Sequence, residues 1–271
     1  LTSSVPTADT RAIAVAIPCF NEAAAIGDLV ARWRVVFPEA EVVVFDNNSR
    51  DATALLAEAA GARVVPVPRQ GKGYAVRAIF AELADRPALV MTDGDATYPP
   101  EDVGRLLAPV LAGEADMVVG ARRPVSVGGV SGMAPVRGLG NALIRAAFRA
   151  LIGRGPGDLL SGYRVFGPRF LAEVKPRSTG FEIETELTGE AVSRQMRVVE
   201  VEVPYHPRIA GSVSKLRAGR DGLRILFMIM RIAARLQPLR LVAVLLAAAA
   251  CLGAAICVAR AIGAGVTGFA Q

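Results

Sequence analysis

The sequence predicts an α/β protein: a mostly parallel sheet flanked by helices, then a C-terminal interfacial amphipathic helix and one transmembrane helix. Three observations predict it. From Ala12 to Gly120, apolar β-branched runs alternate with amphipathic stretches of helical length, the rhythm of βαβ units. Five arginines between positions 217 and 235 share one helical stripe. Leu241 to Ala259 is uncharged and dominated by Leu, Val, Ile and Ala, long enough for one membrane span, although a buried soluble helix has the same composition.

In chain order, the strand candidates are Ile13 to Ile17, Glu41 to Phe45, Ala62 to Val67, Ala88 to Thr92 and Asp116 to Val119. Polar clusters follow three of them directly: Pro18-Cys19-Phe20-Asn21-Glu22, Asp46-Asn47-Asn48-Ser49 and Asp93-Gly94-Asp95. Ligands of parallel sheets bind beyond the carboxyl ends of the strands, so the three clusters are expected on one edge. A Gly/Pro/Arg-rich loop then runs from Arg122 to Gly140, long enough to be functional, and a helix from about Asn141 to Ile152 follows. Further on come Ser161-Gly162-Tyr163-Arg164, a helix over Glu182 to Ser193, a strand over Arg197 to Val203 and a polar loop from Pro207 to Lys215. The expected divisions are a tail at 1–11, a catalytic-type domain at 12–216, the interfacial helix at 217–238, the transmembrane helix at 239–260 and a tail at 261–271. Leu1 to Arg11 lacks the basic start and apolar core of a signal peptide.

At 52% hydrophobic residues the chain is more apolar than an ordinary soluble enzyme, as expected if part of it lies in lipid. Its net charge of +6 admits nucleic acid, anionic lipid or a phosphorylated substrate as partner. At 100° per residue, Arg217, Arg220, Arg224, Arg231 and Arg235 fall within an arc of about 60°, with Leu223, Ile225, Leu226, Phe227, Ile229 and Ile232 on the opposite faces. That is the pattern of a helix lying on anionic headgroups; a solvated face on a domain helix is the plainer alternative. Basic residues crowd the N-terminal flank of the span and only Arg260 follows it, so the positive-inside rule places everything before Leu239 in the cytoplasm, at the inner (cytoplasmic) membrane. No aromatic-interleaved basic surface is present, which leaves nucleic acid without support. The three cysteines, Cys19, Cys251 and Cys257, form no CxxC pair, so neither a zinc site nor a disulfide framework is expected. A single span is compatible with a monomer or a homo-oligomer.

Asp93-Gly94-Asp95 closes a hydrophobic strand, where two carboxylates one residue apart can hold Mg²⁺ or Mn²⁺ while a diphosphate supplies further ligands. The same tripeptide also forms ordinary turns; its place after the fourth strand favours the metal. The first strand ends without a Gly-rich turn, so neither a dinucleotide fingerprint nor a P-loop is present there. Asp46 is placed to accept hydrogen bonds from a ribose or base, or to act as a turn or cap residue. Gly71-Lys72-Gly73 offers either a phosphate-facing turn or a plain loop.

Together, Ile17-Pro18-Cys19-Phe20-Asn21-Glu22, Asp46-Asn47-Asn48-Ser49-Arg50-Asp51, Gly71-Lys72-Gly73, Asp93-Gly94-Asp95 and Ser161-Gly162-Tyr163-Arg164 resemble family 2 glycosyltransferases. More narrowly, they are similar to the dolichyl-phosphate mannose synthase and polyprenyl-phosphate sugar transferase branch, over roughly Ala12 to Arg235. The resemblance implies a GT-A fold, a nucleoside-diphosphate sugar donor (a UDP-sugar first, GDP-mannose next), a polyprenyl phosphate acceptor and inversion at the anomeric carbon. It also implies that Pro18, Phe20, Glu22 and Asp46 surround the nucleotide, with Asp93 and Asp95 at the metal and diphosphate. Arg122 and Arg137 then match positions facing the acceptor phosphate, and Arg208 and Lys215 resemble a basic loop that closes over the donor. Phe20 stands where the family commonly has Tyr, and Asp-Gly-Asp replaces the commoner Asp-Ala-Asp.

A phosphate acceptor is already anionic at neutral pH, so it needs positioning and charge relief rather than a strong base. A hydroxyl acceptor, as in a glycolipid synthase, needs a carboxylate base, for which Glu182, Glu184 and Glu186 are the candidates if they are not structural. His206, the single histidine, precedes a proline in a loop and reads as structural. A sugar-nucleotide pyrophosphorylase is disfavoured by the missing Gly-rich loop. A membrane-tethered nucleotide-sugar-binding protein without turnover is the non-enzymatic alternative.

Overall fold

The computed structural model describes residues 12–127, 130–131, 135–209, 211–212, 215 and 218–268; the expected N-terminal tail lies outside them. The first half alternates as expected: β1 (Ala14–Cys19), α1 (Ile26–Val36), β2 (Glu41–Asp46), α2 (Thr53–Ala59), β3 (Arg63–Pro66), α3 (Lys72–Glu82), β4 (Leu89–Met91), α4 (Val103–Leu111) and β5 (Met117–Pro124). A two-stranded ribbon follows, β6 (Ser126–Val127) with β7 (Val130–Ser131), and then α5 (Pro135–Ile152). After it come β8 (Arg164–Phe166), α6 (Pro168–Glu173), α7 (Ile183–Ser193), β9 (Val198–Tyr205), α8 (Ala218–Leu236) and α9 (Pro238–Gly268).

Seven strands form one sheet in the order β3-β2-β1-β4-β8-β5-β9, parallel except for β8, which runs antiparallel to β4 and β5. The chain moves outward from β1 to β2 and β3 and then returns to β4 on the other side of β1, so the order switches between β1 and β4. At such a switch the loops diverge and leave a crevice at the carboxyl ends. The three polar clusters sit there because β2, β1 and β4 are adjacent, with Cys19 in register with Asp46.

Alternation along the strands sends side chains to two cores. Val15, Ile17 and Cys19 pack with Trp33 of α1 and Leu106 of α4 on one face, while Ala14 and Ala16 pack with Val76 and Ile79 of α3 and Leu187 of α7 on the other. A third cluster joins Phe148, Leu151 and Ile152 of α5 to Ile225, Ile229, Ile232 and Ala233 of α8.

Three expectations change. The loop expected to reach Gly140 is shorter, because α5 starts at Pro135, whose fixed φ and missing N–H suit a first helical turn. A strand absent from the sequence candidates appears: Arg164, the last residue of the Ser161-Gly162-Tyr163-Arg164 motif, begins the three-residue β8. The apolar side of the arginine helix is divided: Ile225, Ile229 and Ile232 are buried against the domain, whereas Leu223 and Phe227 are 69% and 67% exposed and adjoin Arg220, about 60° and about 20° from it at 100° per residue, rather than lying opposite the arginines as expected. Pro238 opens α9 directly after Gln237, and its stretch Pro238–Cys257 is long and apolar enough to cross a membrane, with none of it buried.

Candidate active site

A cleft of about 650 Å³ opens at the switch point. Its floor is the end of β1 with Asp93 and Asp95, one wall is the 179–181 loop, and Arg208, Lys215, Arg220 and Arg224 close the other side. Glycine permits the close packing beneath it. A β-carbon on Gly94 would stand 2.4 Å from Cys19 Sγ, and one on Gly162 would stand 2.5 Å from both oxygens of Asp93. The Ser-Gly-Tyr-Arg motif therefore seats the first carboxylate, and Arg164 anchors that turn: fully buried, it donates to Ser161 O at 2.9 Å, Leu159 O at 2.8 Å and Thr188 Oγ1 at 3.0 Å.

The second motif braces the first. The backbone N–H groups of Asn21 and Glu22 donate to Ser49 Oγ and Thr53 Oγ1, both at 2.9 Å, and Asn21 itself has a left-handed φ of 52°. Asn47 Oδ1 accepts from Gly71 N at 2.6 Å, tying β2 to the start of α3. Asp46 lies beside this brace, where Ser49 N donates to it at 3.3 Å, and it does not line the cleft.

Lys72, Arg208 and Lys215 in the cleft are each paired with a carboxylate. Lys72 Nζ stands 2.7 Å from Asp93 Oδ1 and 2.5 Å from Glu184 Oε1. Burial alone would lower the Lys72 pKa and raise that of Asp93; their mutual attraction outweighs it, so the lysine is held up and the aspartate down. Asp95 is almost fully buried, and burial together with the Asp93 charge raises its pKa despite Arg208. Arg208 Nη2 sits 2.5 Å from Asp95 Oδ2. Lys215 Nζ donates to Glu22 Oε1 at 2.7 Å and Ser212 Oγ to Glu22 Oε2 at 2.6 Å, so the basic loop is docked on the acidic floor. Burial pushes the Cys19 thiol well up, which leaves it protonated and unreactive.

Other residues singled out from sequence stand elsewhere. Arg122 lies outside the cleft lining: its Nε and Nη2 grip the Asp158 carboxylate, both at 2.7 Å, and its guanidinium lies over the Tyr205 ring. Arg137 belongs to α5, but its side chain is outside the described residues. Glu186 accepts from Ser178 N at 2.8 Å and Glu182 from Gly180 N at 3.0 Å, so both shape the 177–181 loop. His206 N donates to Thr97 O at 2.9 Å, tying the basic loop to the turn after Asp95. Sequence reasoning missed Asp158, which has no motif around it, and read Arg220 and Arg224 only as part of a lipid-facing stripe.

The donor set fits a divalent cation. Asp95 Oδ2 already carries a cation, the Arg208 guanidinium, in the cleft, and Asp93 adds a second carboxylate. Among the described residues no group of three or more His, Cys, Asp or Glu side chains forms a closed cage. Mg²⁺ commonly takes only one or two carboxylates, with phosphates and water filling the remaining positions.

Residues 14–157 match the family model for glycosyl transferase family 2. The chain belongs to that family: it is a glycosyltransferase with a nucleotide-sugar-binding GT-A fold. It is 36% identical over 239 residues to glycosyltransferase AglJ of Haloferax volcanii, covering 87% of this chain and 76% of that one. It is 34% identical over 199 residues to a dolichyl-phosphate hexose transferase of the same organism, covering 72% and 83%. Among solved structures it resembles glucosyl-3-phosphoglycerate synthase from Mycobacterium tuberculosis in complex with Mn²⁺, UDP-glucose and phosphoglyceric acid. That match has 26% identity and a TM-score of 0.66, covering 82% of this chain and 79% of that one.

Proposed function

We propose that the protein transfers a hexose-type sugar from a UDP-sugar to a polyprenyl phosphate at the cytoplasmic membrane face, with inversion. The observation that carries this reading is the position of the cleft: its rim includes Arg220 and Arg224 of α8, and α8 leads directly into the exposed apolar helix α9. A lipid-borne acceptor would reach the donor along that path. The similarity to a dolichyl-phosphate hexose transferase supports a lipid phosphate, and the similarity to a synthase crystallised with Mn²⁺ and UDP-glucose supports the donor and metal.

In this reading Asp93 and Asp95 hold Mg²⁺ or Mn²⁺, which when bound neutralises the diphosphate and stabilises its charge as it leaves. Phe20 and Pro18 border the nucleotide. Arg208 and Lys215 leave Asp95 and Glu22 for the donor phosphates, a short movement because the loop already rests in the cleft. Lys72 keeps Asp93 ionised and oriented. The acceptor oxygen arrives already anionic, so Glu184, committed to Lys72, is not needed as a base.

One observation favours a second reading, transfer to a lipid hydroxyl: Glu182 Oε2, next to the 179–181 wall of the cleft, has no hydrogen-bond partner among the described residues, which leaves it free to accept a proton from a hydroxyl brought within reach. Nucleotide release by the protein in detergent, over UDP- and GDP-sugars with Mn²⁺, separates the two. Release requiring both polyprenyl phosphate and Asp95, tested by Asp95→Asn with an expected loss of about 100-fold or more, supports the phosphate acceptor. Release only with a lipid alcohol, abolished by Glu182→Gln, overturns it.

A further inference from the structure

Lys72, Arg208 and Lys215 in the cleft each contact a carboxylate, but among the described residues neither Arg220 nor Arg224 has an ion-pair partner. Both are exposed, and both line the cleft. Arg224 reaches the 179–181 wall: a β-carbon on Gly180 would stand 3.2 Å from Arg224 Nη1. The same point lies 2.7 Å from Glu182 Oε2, and Asp221 lines the cleft between the two arginines, yet neither carboxylate forms an ion pair with them among the described residues. Exposed guanidinium groups converging on a pocket can form an anion site, because their planar N–H forks match phosphate oxygens. At 100° per residue the two arginines lie about 40° apart, and the exposed Leu223 and Phe227 occupy the adjoining strip, within about 100° of them. One helix thus presents paired positive charge beside bare hydrocarbon, at the mouth of the donor cleft. A soluble anion would leave Leu223 and Phe227 uncovered, and a neutral lipid would leave the arginines unmatched.

We infer that Arg220 and Arg224 form the binding site for the phosphate monoester of an amphiphilic acceptor, whose first apolar segment lies along Leu223 and Phe227. This rests on the proposed lipid-phosphate reading and deepens it. It moves the acceptor phosphate from Arg122, which Asp158 already holds, to the rim formed by α8. Arg231 and Arg235 share the stripe but stand away from the cleft, and Arg235 is bridged to Glu190 at 3.3 Å. They provide a control with the same charge loss.

The test is binding, measured apart from turnover. Full-length protein in neutral detergent is titrated with farnesyl phosphate, with farnesol and with UDP, comparing wild type, the Arg220→Gln/Arg224→Gln double variant and the Arg231→Gln/Arg235→Gln control. The expected result is that wild type binds farnesyl phosphate in preference to farnesol. The rim variant should lose about tenfold or more in farnesyl phosphate affinity, as expected for two charge-assisted contacts, while the control and all UDP affinities stay within about twofold. Four results overturn the inference: no phosphate preference in wild type, no loss in the rim variant, equal loss in the control, or a parallel loss of UDP affinity. Transfer only to a lipid alcohol would defeat the proposed function, whereas this inference is decided by the binding titration.

Discussion

The Arg208 guanidinium, 2.5 Å from Asp95 Oδ2, covers the same oxygen that the proposed metal would need. Removing it is therefore expected to affect metal affinity and turnover in opposite directions. Arg208→Ala should tighten Mn²⁺ binding without nucleotide by about tenfold, the worth of one charge-assisted hydrogen bond, while slowing transfer. Calorimetric titration with Mn²⁺ alone checks the first half, and unchanged affinity would show that arginine and metal do not compete. A second residue pair acts on stability. Burial raises the Asp158 pKa, but the Arg122 fork more than offsets this and the carboxyl is held below its usual range. A group depressed in the folded state stabilises above its unfolded pKa, about 3.9, and loses that contribution as pH falls through the folded value. Asp158→Asn should cost about 3 kcal/mol at pH 7, the typical cost of leaving one partner of a buried pair alone. The Tm gap to wild type should shrink below about pH 4 in a calorimetric pH series. Asp93-Gly94-Asp95 was legible in the sequence because of its place directly after the fourth strand of an alternating pattern, whereas Asp158 was not, since its partner lies 36 residues away and only folding pairs them.

At the scale of elements, α8 has three faces. Ile225, Ile229 and Ile232 pack on α5, Leu223 and Phe227 are exposed, and Arg220 and Arg224 line the cleft. The two apolar faces should respond differently. Ile229→Ala should lower stability by about 2–5 kcal/mol through lost packing and a cavity, read as a drop in Tm. Leu223→Ser/Phe227→Ser should leave Tm nearly unchanged but weaken sedimentation with phosphatidylglycerol vesicles, most clearly in protein shortened before α9. Equal Tm loss in both variants would mean that the outward strip is covered by protein. Helical periodicity in the sequence identified the arginine stripe, but it gave one broad apolar side where the structure has a buried half and a bare half. The difference arises because α5 and α7 meet α8 along one line only, a contact between elements distant in sequence. The strand β8 was illegible for a related reason: three residues carry too little pattern, and it is held by β4 and β5 on either side.

For the whole molecule, the two cores of the sheet include no residue of α9; among the described residues its Leu241 and Val244 pack on the α5–α8 cluster and its Arg240 Nη2 donates to Arg149 O at 3.4 Å. Protein ending after Leu236 is therefore expected to fold and bind UDP with nearly unchanged affinity, while its transfer to a membrane-borne acceptor and its recovery in the membrane fraction fall sharply. Loss of UDP binding on truncation would show that α9 is part of the catalytic fold.

By itself the sequence determined the alternating half of the fold, the edge on which three polar clusters meet, and the apolar helix beyond it. These are local properties: a period of two or 3.6, a charged pair at a strand end, a run without charge. Only the tertiary structure decided which cations are already taken and which are bare. Arg122 is matched by Asp158, Lys72 by Asp93 and Glu184, and Arg208 by Asp95, while Arg220 and Arg224 reach the cleft with no ion pair among the described residues. Pairing of charge depends on approach to within a few ångströms between segments far apart in the chain, and it is set by how the strands, loops and α8 come together around the switch point.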